Sequence, residues 1–493
     1  MKQILIFFLV ALSTQVYGQA VLDAERFSID KNELKQTIKV LASDSMEGRL
    51  TGTLGQMKAA RYIAGEFAKY GLSEAGDNGY FDDFKLVQYY RGETYLKTAR
   101  NRKLDDFQET ACMSREPIDE ETELELVFGG NGTLEDLEQI NVKNRMVLVF
   151  TKNLRSAYHI KAALEKRKAA GLILANPYND KQFESIRRTF KNFMTRKRYT
   201  FADSEQLENN SIGFVEFIIP NMQIRHLMKM SARDLNQLIE TKAIADCPVN
   251  TVRVKCERIV NRTTGRNVIG MLKGTSDTSI YIMAHYDHLG TDGRFYFRGS
   301  DDNASGVASM LELAKLFSGI PDLKYNLIFL ATTGEEVGEL GAKYQVKRAD
   351  FEPGKVLINL NIDMVGRIDS QHIGKKAYLY SLGTDTQPKL AALFEKVDQR
   401  VPECSFDYTF NNSHDLTGYY MRSDQYQFYE KGIPAVMFFS GLHKDYHKPT
   451  DTPEKINYPL LQNRIFLIGQ VILTLQRNES FSLEREQVQA THR

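Results

Sequence analysis

Residues 326–342 read NLIFLATTGEEVGELGA. From Leu327 to Thr333 every residue is apolar or small, the pattern of a strand buried on both faces of a parallel sheet. Gly334 permits a tight exit, and Glu335 and Glu336 follow side by side past the strand's carboxyl end, the edge where open α/β sheets place their ligands. Adjacent carboxylates repel unless a cation or a shared proton compensates. Taken alone, the pair is also explained by two solvated acids at a helix N-terminus, where negative charge is favoured. The surrounding sequence decides between these readings.

Around this stretch, apolar runs and amphipathic runs alternate. Strands are expected at 267–273, 279–285, 326–332, 356–364, 377–381 and 435–439, and helices near 304–317, 387–400, 424–431 and 459–476. That alternation predicts an α/β fold with a mostly parallel, doubly wound sheet. Upstream, Asp30 with Glu33 three residues on marks a helix start. The Gly-, Ser- and Thr-rich stretch SDSMEGRLTGTLGQ (43–56) reads as a loop, and a second helix runs over 56–70 with Gly71 as its C-cap.

Between 92 and 262 the character changes. Strands are expected at 125–128, 146–150, 171–175 and 214–219, with helices at 160–170 and 231–241. The basic segment 180–203 is poorly patterned and reads as an exposed excursion. This stretch is expected to be an inserted β-rich lid domain. The domain plan is therefore a leader at 1–18, an N-terminal part of the main domain at 19–91, the insertion at 92–262, the main domain at 263–480 and a tail at 481–493.

The chain of 493 residues is too long for one ordinary core. Its net charge of +1 and the lack of a long basic run argue against nucleic acid as a partner. Lys2, the apolar run 4–12 and small residues before Gln19 form a three-part export signal too short to span a bilayer. The mature chain is expected to be periplasmic or extracellular, with no stable membrane span. Four cysteines, Cys112, Cys247, Cys256 and Cys404, make no disulfide framework, though Cys247 and Cys256 are close enough to pair across a turn.

Five stations of chemistry fall at strand ends or in the turns after them. They are His285 with Asp287 two residues on, the run Gly299-Ser300-Asp301-Asp302-Asn303-Ala304-Ser305-Gly306, the Glu335-Glu336 pair, Asp363, and Tyr446-His447. A lone histidine or a helix-capping acid has structural explanations. Together the stations bring imidazoles and carboxylates to one sheet edge, mixed nitrogen and oxygen donors suited to zinc, with an acid left over as a base. Asp287 is placed to hold the second ring nitrogen of His285. His288, His414 and His443 read as ordinary loop histidines, and Arg367 and Arg422 as salt-bridge partners or contacts for a substrate carboxylate.

His-x-Asp, Asp-Asp-Asn-Ala-Ser-Gly, Gly-Glu-Glu, Asp-Met-Val-Gly and Tyr-His in this order resemble the di-zinc exopeptidases of the bacterial leucyl aminopeptidase group. That superfamily also contains glutamate carboxypeptidase II and the transferrin receptor. The resemblance covers about 29–476 and implies a zinc-exopeptidase, phosphorylase/hydrolase-like fold with a protease-associated insertion. It implies two zinc ions, with Asp302 bridging them through a residue joined to Asn303 by a cis peptide. His285 and Asp363 would bind one ion, Glu336 and His447 the other. Glu335 would be the general base, Asp287 the support of His285, and Tyr446 a stabiliser of the oxyanion. The stretch Ser423 to Phe428 resembles a family segment near the pocket, but Gln425 stands where that segment has histidine.

The resulting expectation is an exported zinc-dependent aminopeptidase acting on peptide or protein N-termini. Carboxypeptidase or dipeptidase action on the same centre, and a binding protein that keeps the fold without turnover, are the alternatives.

Overall fold

The computed structural model describes residues 28–114, 116–155, 157–204, 213–241, 244, 250–412, 415–477 and 483. The leader (1–18), Cys247, His414 and all of the 481–493 tail except residue 483 lie outside the described residues. The chain divides into two units, residues 1–86 with 263–493, and residues 87–262.

In the first unit, four parallel strands form the centre of a sheet, in the order Asn326–Thr332, Ser279–His285, Val356–Ile362, Ala435–Phe439. The expectation of a mostly parallel sheet needs correction at both flanks. Residues 268–272 pair antiparallel with Asn326–Thr332, and Tyr378–Leu382 pairs antiparallel with Ala435–Phe439. Tyr378–Leu382 in turn pairs parallel with Ser405–Asp407, a strand too short to be legible as a pattern. The sheet is therefore mixed, with a parallel heart.

Side-chain alternation shows why these runs are apolar throughout. Ile280, Ile282 and Ala284 join one core with the helices Lys31–Leu41, Leu54–Lys69, Gly306–Ser318 and Tyr458–Arg477. Tyr281 and Met283 point to the other face, where Val346 and Phe428 cover them from the helices Leu340–Lys347 and Gln425–Tyr429. A strand covered on both faces has no polar side to display. Asp30 caps its helix as expected, accepting from Asn32 N at 2.7 Å, and Gly71 closes the next helix at φ +76°.

The second unit has its own sheet, in the order 250–256, Ile118–Phe128, Met146–Phe150, Gly171–Ala175, Val215–Ile219, Ala111–Cys112. The strands from Ile118–Phe128 to Val215–Ile219 run parallel and the two end strands antiparallel. "β-rich" is thus only half of the description. Helices lie on both faces, Asn221–Met228 and Ala232–Thr241 over one core and Tyr158–Lys166 and Lys181–Thr195 over the other. The segment 180–203 is not an excursion. Its Lys181–Thr195 helix buries Phe183, Ile186 and Met194, and Arg198–Phe201 follows as a strand. Among the described residues no helix is long and apolar enough to cross a membrane.

Candidate metal centre

The parallel heart of the first unit decides where the stations meet. His285 ends its strand, Asp363 directly follows Val356–Ile362, and Glu335-Glu336 follow Asn326–Thr332 across Gly334. Parallel neighbours end on the same side, so these side chains share one edge. Gly334 sits at φ +83°, where a Cβ would meet Leu340 Cβ at 3.0 Å, so the exit from the strand requires glycine. Asp302 comes from the short turn Ser300–Ser305 before the long buried helix, and its peptide bond to Asn303 is cis.

Asp302 stands between two groups. Its Oδ1 lies 3.4 Å from His285 Nε2, which is also 3.4 Å from Asp363 Oδ1. Its Oδ2 lies 3.2 Å from His447 Nε2, which is also 3.2 Å from Glu336 Oε2. Glu335 Oε2 is 4.0 Å from His285 Nε2. The residues predicted to bind metal are therefore brought together. Two sets of ligand atoms, from His285, Asp302 and Asp363 and from His288, Asp302 and Glu336, lie close enough to hold an ion each.

His288 is a correction. Far from an ordinary loop histidine, it is fully buried and its Nδ1 is 2.6 Å from Glu336 Oε1. Its place three residues after His285 in the A-H-Y-D-H stretch was the signal that the sequence offered. His443 is likewise paired, its Nε2 3.2 Å from Asp301 Oδ2. Asp287 differs in detail from its expected contact. Its carboxylate is 3.8 Å from His285 Nδ1, which instead faces the Asp287 backbone carbonyl at 3.3 Å. The carboxylate is turned away because it accepts from the Thr51 hydroxyl at 2.9 Å and from Glu335 N at 3.3 Å. It thereby tethers the Glu335 backbone.

Further residues support the centre. Ser423 donates to Asp363 Oδ2 at 2.7 Å, and Asn361 bridges Ser423 and Gln425 at 2.9 and 2.8 Å, so Gln425 serves as an acceptor in this network. Arg49, from the stretch read as a plain loop, is fully buried. It donates to the carbonyls of Tyr286, Leu41, Arg298 and Gly299 at 2.6–2.9 Å, holding the two loops that carry the acids. Arg367 pairs with Asp445 at 3.1 Å. Arg422 is exposed and lies over the Tyr419 ring.

The electrostatics show a site with an excess of negative charge. Burial pushes Glu335 well above the usual carboxylate range, and burial likewise raises Asp302 and lifts Asp287 to about 6. Glu336 goes the other way: burial raises it, but the charge of His288 and hydrogen bonds from His288 and His447 outweigh this and hold it low. Burial opposes the charged form of His447, yet its hydrogen bonds to Asp302 and Glu336 carry it up to about 10. Five acids (Asp287, Asp302, Glu335, Glu336 and Asp363) thus crowd three imidazoles, and the buried Asp363 Oδ1 has no hydrogen-bond partner. A carboxylate oxygen left unpaired beside other acids fits a bound cation. The donors, imidazole nitrogen and carboxylate oxygen, suit zinc.

Beside the acids opens a small cavity. Met364, Met437, Phe439 and Leu442 line it together with Tyr446, whose ring stacks on His447 at 3.8 Å, and Arg422.

Parts of the chain are similar to known proteins. Aminopeptidase YwaD of Bacillus subtilis (strain 168) is 29% identical over 238 residues, 46% of this chain and 48% of that protein. The alkaline phosphatase isozyme conversion protein of Escherichia coli (strain K12) is 38% identical over 113 residues, 21% of this chain and 32% of that one. The chain thus spans about half the length of the first curated relative and a third of the second. In fold, it resembles an aminopeptidase from Aneurinibacillus sp. strain AM-1, with a TM-score of 0.55 at 22% identity over 93% of this chain and 97% of that one. A zinc aminopeptidase from Bacillus subtilis gives a TM-score of 0.50 at 20% identity over 92% and 97%. Residues 267–472, which contain the acids and imidazoles of the centre, match the model of peptidase family M28.

Proposed function

We propose that the chain is an exported zinc-dependent aminopeptidase that releases N-terminal residues from peptides or proteins. The single observation that carries this reading is the arrangement of Asp302, whose two oxygens face two separate groups of donors. In this reading His285 and Asp363 would hold one zinc ion, Glu336 and His447 would hold a second, and Asp302 would serve both. Ions bound there would supply Lewis acidity, lowering the pKa of a water and polarising a peptide carbonyl.

The chain's own residues have distinct tasks. Glu335 takes a proton from the attacking water and returns it to the departing amine, a role suited to a carboxylate whose buried setting raises its proton affinity. Asp287 supports this by fixing the Glu335 backbone. Tyr446, on the cavity wall, donates to the developing oxyanion. The apolar lining of Met364, Met437, Phe439 and Leu442 accepts the side chain of the residue to be released. We assign residues 87–262 as the inserted protease-associated domain, and the charged-then-apolar start of the sequence supports export.

Arg422 at the same cavity supports a second reading, a carboxypeptidase or dipeptidase that grips a free carboxylate. A panel of peptides separates the two. Peptides with free N-termini, C-amidated ones included, are expected to be cleaved, and N-acetylated ones to resist. Cleavage of N-acetylated peptides that stops on C-amidation would overturn the aminopeptidase assignment in favour of the second reading. No turnover of any peptide by fully metallated protein would leave a binding protein of the same fold.

A further inference from the structure

The second unit brings two cysteines from opposite ends of its sheet into contact. Cys112 lies on Ala111–Cys112, one end strand, where it pairs with Phe217. Cys256 lies on the other end strand and pairs with Ile118. They are 144 residues apart in sequence, yet their sulfurs are 3.8 Å apart inside one apolar core. The side chains of the two end strands thus meet within one core, and among the described residues no backbone ladder joins these two strands.

Both cysteines are free thiols in this structure. Cys112 is fully enclosed, whereas Cys256 borders a small open cavity along with Tyr89, Tyr90, Arg91 and Arg258. Arg91 is held beside the pair by its ion pair to Asp106 at 3.0 Å and by donating to the carbonyls of Cys112 at 2.7 Å and Ser114 at 2.7 Å. Its fixed positive charge favours a thiolate. The Cys112 S–H and then Arg91 pull the Cys256 thiol below its ordinary value, while burial holds Cys112 above. Of the two sulfurs, Cys256 is thus the more acidic, and its residue, though buried, is the one that borders the cavity.

We propose that Cys112 and Cys256 form a disulfide that clasps the two ends of this sheet, made by exchange with a small-molecule or protein disulfide entering from the cavity. The Cys256 thiolate attacks one sulfur of the incoming disulfide, forming a mixed disulfide and releasing the first thiol. The Cys112 thiolate then attacks Cys256 Sγ, forming the Cys112–Cys256 bond and releasing the second thiol. The two cysteine protons end on the two released thiols, and the electron pair reduces the incoming disulfide. At 3.8 Å the sulfurs are already in van der Waals contact, and forming the bond brings them to about 2.05 Å. The two cysteines are 144 residues apart, and in the chain-entropy view a cross-link that closes a long loop restricts the unfolded chain more than one that closes a short loop. This pairing differs from the Cys247–Cys256 bridge that sequence proximity suggests.

The test uses the full chain, purified reduced and then exposed to oxidised glutathione, with peptides mapped without reduction. The expected result is one cross-linked pair carrying Cys112 and Cys256, two hydrogens lighter than the separate thiol peptides, with Cys404 still alkylatable. Unfolding of the oxidised chain should shift upward by about 5–10 °C, a shift absent from Cys112→Ser and Cys256→Ala. Alkylation of both thiols after oxidation, a persistent glutathione adduct on Cys256, or a link from Cys256 to Cys247 would each overturn the proposal. The peptide map on the unsubstituted chain stands even if a variant fails to fold.

Discussion

At the scale of single residues, the centre separates groups that hold charge from one that moves a proton. Glu335 and Glu336 are neighbours in sequence and opposite in setting: Glu336 is held low by two imidazoles, and Glu335 is raised by burial. Glu335→Gln is therefore expected to lower kcat/KM by about 10²–10⁴-fold while metal content and unfolding temperature stay as they were; activity within a few-fold of the parent would remove Glu335 from the mechanism. His288 holds Glu336 Oε1 and leaves Oε2 facing His447. His288→Ala should weaken metal retention by about 10–100-fold, measured by competition with a chelator, and unchanged retention would reduce it to a packing residue. His285, Glu335-Glu336 and Asp363 were legible because each sits where a recognisable strand stops, and Asp302 and His447 because each lies in a turn of distinctive sequence. Arg49, Ser423 and the turned-away carboxylate of Asp287 were not, because their roles come from contacts with segments distant in sequence, as between Arg49 and Gly299.

At the scale of elements, the parallel heart of the first unit could be read from apolar runs covered on both faces, while its antiparallel flanks could not. Pairing direction there depends on where the neighbouring strands come from, which a local pattern does not record. The helix Lys181–Thr195 teaches a different lesson. Phe183, Ile186, Phe190 and Met194 form a helical stripe, but the Arg and Lys residues between them dominate the composition and hid the period. Ile186→Ala should cost about 2–5 kcal/mol of stability in the unit it belongs to, read by denaturant unfolding; a negligible cost would mean that the segment is the exposed excursion after all. A loop in the first unit gives a pH-dependent prediction. Asp369 accepts from Tyr380 at 2.7 Å and from His372 Nδ1 at 2.9 Å, while His372 Nε2 reaches Asp407 at 3.1 Å, tying the loop to two strands. Burial raises the Asp369 carboxyl, but the Tyr380 and His372 hydrogen bonds outweigh it and leave it below its ordinary value. With the folded pKa below the unfolded one, about 3.9, Asp369 adds stability above that pH and loses it as pH falls through the folded value. The gap in unfolding temperature between the parent and Asp369→Asn should therefore be widest near neutrality and close in acid; a constant gap would contradict it.

For the molecule as a whole, one proposition carries the account: the acids of the centre coexist in a buried place because cations belong among them. Asp287, Asp302, Glu335, Glu336 and Asp363 would otherwise repel one another at a cost that three imidazoles only partly offset. Removing metal should therefore lower the stability of the first unit as well as end turnover. The direct test is the zinc content of the full chain after dialysis against zinc and then buffer, measured by elemental mass spectrometry beside Asp302→Ala. The account predicts two equivalents per chain in the parent and a loss of both in the variant, since Asp302 serves both groups; one equivalent or none in folded parent protein, or two retained by the variant, would contradict it.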